Sequence, residues 1–121
     1  MSDFVDKAEF LKLPDEYEKL SDEYSVAYST YKYAEDIEAS VLADLIADEK
    51  DKAIENKEKY TITELKVRAQ ASQEYKDFLE SKNLDRQTAL RLEGKMKALN
   101  MKFEAMRSVL SAEKNLTNMS G

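Results

Sequence analysis

Residues 89–110 read ALRLEGKMKALNMKFEAMRSVL. Ala89, Leu92, Met96, Leu99, Phe103, Met106 and Leu110 recur there at alternating steps of three and four. That spacing puts seven apolar side chains on one stripe of an α-helix, the seam that a second helix covers in a coiled coil. Gly94 falls on the outer face, where it costs about 1 kcal/mol of helix propensity and leaves the seam intact. Upstream, Tyr17, Leu20, Tyr24, Ala27, Tyr31, Ala34, Val41 and Leu45 follow the same repeat, and Glu38 is the one slot that breaks it. The pattern fades in DEKDKAIENKEK, residues 48–59.

The signals between these seams divide the chain. Pro14 is expected at the first position of a helix, where its missing N–H leaves nothing unpaired, and Asp15, Glu16 and Glu18 suit the positive end of the helix dipole. A long helix is therefore expected over 14–57, about 65 Å at 1.5 Å per residue. Residues 1–13 are expected to form a short N-terminal arm, with Phe4, Val5, Phe10, Leu11 and Leu13 available for packing. Thr61 and Glu64 have the spacing of a capping box, which predicts a second helical arm over 63–114. Leu65, Ala69, Tyr75, Phe78 and Leu79 continue that arm, with a break near 71–72 or 83 or none, and 115–121 reads as a polar, frayed tail. Two seams joined by a turn region near 58–63 satisfy each other by folding back. The expected fold is one all-α domain over residues 1–121, a long antiparallel helical hairpin or coiled coil.

Composition agrees. The 121 residues fit one domain, and two glycines and one proline are too few turn formers for a sandwich, a barrel or a doubly wound sheet. With no cysteine and no histidine, the chain has no disulfide, no thiolate or imidazole zinc site and no Cys-His or Ser-His-Asp machinery. Asp44 and Asp48 lie one helical turn apart, as a hard-metal site could require, but such pairs are common on solvated helix faces. Without a phosphate loop, a calcium loop or a nucleophile–base pair, the reading is a non-enzymatic protein with no cofactor and no metal. The start MSDFVDKAEF is acidic where a signal peptide is basic, and no run approaches about 18 apolar residues, so a cytoplasmic protein away from the membrane is expected.

Charge is distributed unevenly. Residues 1–50 carry a net −9, 51–80 a net −1 and 81–121 a net +4. Arg86, Lys95, Lys102 and Arg107 flank the last seam, and Glu23, Glu35, Asp44 and Glu49 flank the first. One reading sets these acids against these bases across the hairpin; another lets them engage a partner protein, or lets the bases of an oligomer line a groove for phosphates. Of the seven tyrosines, those on the seam read as packing, and Tyr28, Tyr33 and Tyr60 as exposed. Tyr28, Tyr33, Ile37, Leu42 and Ile46 on the first helix, with Leu90, Ala98, Met101 and Val109 on the last, make the apolar arc wider than one partner helix covers. Self-association or a standing partner is therefore expected.

A Tyr-bearing long helix ending in KAIENKEKY, a TITELK re-entry at 61–66 and the final ALRLEGKMKALNMKFEAMRSVLSAEK helix together resemble small helical proteins of tailed-phage recombination and replication modules. More distantly the chain is similar to the UvsY-type recombination mediator family, over roughly residues 17–113. The resemblance implies a homo-oligomer in the host cytoplasm that binds single-stranded DNA and helps load a recombinase onto strands coated by single-strand-binding protein. It would place phosphate contacts at Lys66 and Arg68 in the re-entry step and at Arg91, Lys95, Lys97 and Lys102 in the last helix. The net charge of −6 departs from that pattern, because the bases must gather on one surface away from the acidic first half. The alternative is an acidic helical adaptor or inhibitor that binds a partner protein and has no DNA affinity of its own.

Overall fold

A computed structural model describes the backbone of residues 6–120 and the side chains of 6–118. It contains three helices, α1 (Lys7–Glu55), α2 (Ile62–Ala71) and α3 (Gln73–Ser120), and no strand among the described residues. α1 packs against α3 as an all-α helical hairpin. The chain divides into two compact units. One joins α1 up to Val26 with α3 from Ala89, and the other spans Ala27–Thr88.

The first unit shows why α1 starts earlier than Pro14. Asp6 caps it: its side chain accepts from the Ala8 and Glu9 backbone N–H groups at 2.9 and 3.3 Å, and its carbonyl accepts from Phe10 N–H at 2.9 Å. This satisfies donors that a helix start leaves orphaned. Residues 7–13 are thus the first turns of α1 and not an arm, while Phe4 and Val5 lie outside the described residues. Pro14 sits inside the helix, where it removes a backbone hydrogen bond at a typical cost of about 3 kcal/mol. Tertiary packing offsets this. Leu13 is buried to 1% exposure, and the Phe10 and Phe103 rings stack with centroids 5.1 Å apart. Ala89 and Leu92 complete the buried set of this unit.

In the second unit α1 ends at a Schellman motif. Glu58 N–H donates to the Ala53 carbonyl at 2.9 Å and Lys57 N–H to the Ile54 carbonyl at 3.1 Å, with Lys57 in the left-handed region at φ 56°. The capping box then starts α2: Glu64 N–H donates to Thr61 Oγ1 at 3.1 Å and Thr61 N–H to Glu64 Oε2 at 3.3 Å. Leu65 and Ala69, one turn apart, are the buried face of α2. The break falls at Ser72, whose extended backbone ends α2. Its hydroxyl donates to the Ala69 carbonyl at 2.6 Å and accepts from Tyr75 N–H at 3.3 Å. One side chain thereby caps the end of α2 and the start of α3. α3 is helical through Ser120, so the expected tail from 115 is part of the helix up to that point, and Gly121 lies outside the described residues.

The seam of α3 is longer than its apolar residues suggest. Less exposed positions recur at 75, 78, 82, 85, 89, 92, 96, 99, 103, 106, 110 and 113, an unbroken three-four repeat that includes Lys82 and Asp85.

Candidate nucleic-acid interface

The six bases expected to meet phosphate are all exposed. In the first unit Arg91, Lys95 and Lys102 fall on one face of α3, within about 40° of one another at 100° per residue. Arg91 and Lys95 form no ion pair among the described residues. Lys97 points to another side of the helix, with Nζ 3.0 Å from Glu93 Oε1 one turn back. Lys102 donates to Glu9 across the hairpin. That hydrogen bond first, and the Glu9 and Glu16 charges after it, hold the Lys102 amine above its ordinary 10.5.

The acid that takes Lys102 is thus Glu9, and none of Glu23, Glu35, Asp44 and Glu49 pairs across the hairpin among the described residues. Glu35 accepts from Lys32 on its own helix at 3.0 Å, and this bond, with a second from Tyr31, holds its carboxyl below the usual range. Glu49 lies 3.6 Å from Lys52, and Glu23 and Asp44 are exposed. The physical reason is register. In an antiparallel pair that matches Glu9 to Lys102, Glu16 one heptad on matches Lys95 one heptad back. The step Glu9, Glu16, Glu23 was available as a signal in the sequence, but Glu9 preceded the expected helix start.

Lys66 and Arg68 belong to the second unit. Arg68 Nη1 donates to Glu58 Oε2 at 3.0 Å and ties α2 to the preceding turn, while Lys66 forms no ion pair among the described residues. Across the hairpin Lys82 Nζ donates to Glu38 Oε1 at 3.0 Å. That bond raises the Lys82 amine above 10.5, against a smaller opposing effect of partial burial. Tyr31, Leu79, Lys82, Asn83 and Arg86 line an open groove of about 410 Å³ beside this pair.

The aromatic residues divide as packing requires. Tyr24 and Tyr31 are half-buried, and Tyr28, Tyr33 and Tyr60 are exposed at 44%, 66% and 36%. Tyr17, expected in the seam, is 41% exposed, on the edge of an apolar groove of about 250 Å³ lined by Leu13, Pro14, Tyr17, Leu99, Asn100 and Phe103. Among the described residues no cluster of three or more Asp or Glu could hold a metal ion, and no helix is long and apolar enough to cross a membrane. Comparisons with family models, with characterised proteins and with solved structures return no match to this chain.

Proposed function

We propose that this chain is a non-enzymatic accessory of phage-type recombination or replication, one that self-associates and handles single-stranded DNA or the proteins bound to it. The observation that carries the reading is the pair Arg91 and Lys95, exposed on one face of α3 with no carboxylate of the described residues bonded to either. In a chain of net charge −6, cations left unneutralised by their own protein are the ones positioned to release counterions from phosphate. Lys66 is a third such cation, whereas Arg68 and Lys102 already bond Glu58 and Glu9.

That last observation supports a second reading, an acidic adaptor or inhibitor whose bases serve its own hairpin and whose first half engages a basic protein site. Titration of a labelled single-stranded oligonucleotide at several salt concentrations separates the two. The mediator-like reading expects binding that Arg91→Glu with Lys95→Glu weakens, and a logarithmic salt dependence whose slope falls by about 0.7 for each phosphate no longer neutralised. No binding at any salt overturns it in favour of the adaptor.

A further inference from the structure

We infer that Ser72 is a hinge, at which α2 exchanges between its docked position and one continuous with α3. Nothing in the covalent chemistry imposes the break, because residues 69–76 read AQASQEYK, without glycine or proline. A single extended residue, Ser72 at φ −67° and ψ 151°, separates the two helices. Its own bonds hold it there: the hydroxyl bonds the Ala69 carbonyl and Tyr75 N–H, and the backbone N–H donates to the same carbonyl at 3.1 Å. The Gln73 and Glu74 N–H groups have no acceptor among the described residues. A helix running through Ser72 would bond them to the Ala69 and Gln70 carbonyls.

Helical phase explains what the break does. In the same unit, the half-buried positions of α3 are Tyr75, Phe78, Lys82 and Asp85. At 100° per residue, an unbroken helix would set Leu65 and Ala69 about 140° around from the mean direction of those four. The extended residue turns them back into the interior, where Leu65 is 2% and Ala69 0% exposed. Docking thus sets the burial of two apolar side chains, with the solvent-exposed Arg68–Glu58 pair, against the hydrogen bonds of an unbroken arm. Ten residues make a marginal helix alone, so once α2 leaves its site it is stabilised by joining α3. In the continuous state the Leu65 and Ala69 face points outward, and the exchange requires neither DNA nor a second copy.

Two measurements on the full chain test the hinge. The chain has no cysteine, so Ala69→Cys supplies a single buried thiol as a reporter of undocking. Iodoacetamide should label it at least about tenfold faster than global unfolding permits, at a rate nearly independent of urea below the transition. Labelling only at the rate and urea slope of global unfolding overturns the inference. The second measurement needs no thiol. Leu65→Ala/Ser72→Ala removes both the buried anchor and the hydroxyl, so the continuous state should predominate. Its far-UV helical signal should match the wild type, and its Gln73 and Glu74 amides, bonded only in that state, should exchange at least about tenfold more slowly. Loss of ten residues' worth of helix, with both amides still exchanging freely, would mean that undocked α2 unfolds and would overturn the hinge.

Discussion

Glu38 of α1 and Lys82 of α3 occupy core-facing slots of two otherwise largely apolar repeats, and the Lys82 ammonium donates to the Glu38 carboxylate at 3.0 Å. The interruption in one seam is the partner of an interruption in the other. Their side chains are only 33% and 23% exposed, so each charge has given up part of its water and depends on the other. A polar layer of this kind restricts which residues can face each other, since sliding either helix would bury one charge against an apolar side chain.

A double-mutant cycle at this pair should therefore be strongly non-additive. Glu38→Leu and Lys82→Leu should each lower the melting temperature, because each leaves a half-buried charge without its partner. The double replacement should melt at or above the wild type, since an apolar layer avoids the desolvation cost altogether. Additive losses would show that the pair is a surface contact with no role in the seam.

The same pairs set the pH response. Lys82 and Lys102 are held above 10.5 in the folded chain, so their contribution is fully present below 10.5 and is lost as pH rises through the folded values. Glu35 is held below 4.5, so its contribution is present above 4.5 and is lost as pH falls through its folded value. Urea midpoints measured across pH should fall at both ends. Lys82→Met should flatten the alkaline limb, while Glu35→Gln should flatten the acid limb and, because Glu35 also holds the Lys32 amine above its ordinary value, part of the alkaline limb as well.

Local chemistry made part of this molecule legible. The three-four repeat of 89–110 marks the α3 seam, and Thr61 with Glu64 marks the start of α2, because both signals lie within one helix or one turn. What was missed depends on long-range packing. Proline suits a helix start by its own chemistry, and only the Phe10–Phe103 stack and the Glu9–Lys102 bond, each spanning 93 residues, show why α1 forms upstream of Pro14. Lys82 and Asp85 do not look like seam residues because their polarity hides their periodicity. The candidate bases were placed by residue type and by the resemblance, but which of them are neutralised is decided by a register that no local spacing specifies.

Lys57 should be replaceable with gain. It holds a left-handed conformation that costs a side chain with a Cβ about 1 kcal/mol and costs glycine little, and its place in the Schellman motif requires that conformation. Lys57→Gly should raise stability by about 0.5–1 kcal/mol in chemical denaturation. Ser72→Ala should act oppositely, removing a hydroxyl that caps two helix ends and lowering stability by about 0.5–2 kcal/mol.

Pro14 offers a direct test of where α1 begins. If the helix started there, Pro14→Ala would change stability little, because the restored N–H would be one of the orphans of a first turn. With α1 running from Lys7, alanine restores an interior N–H able to donate to the Phe10 carbonyl, and stability should rise by about 1–3 kcal/mol. The gain stops short of the full penalty if removing the pyrrolidine ring loosens the groove it lines with Leu13, Tyr17 and Phe103. Phe103→Ala should separate these effects. Without the ring that stacks on Phe10, residues 7–13 lose a main reason to be helical across the proline. Hydrogen exchange at the first turns of α1 should then accelerate in Phe103→Ala and recover in the Pro14→Ala/Phe103→Ala pair, whereas equal exchange in all four proteins would place the start of α1 after Pro14.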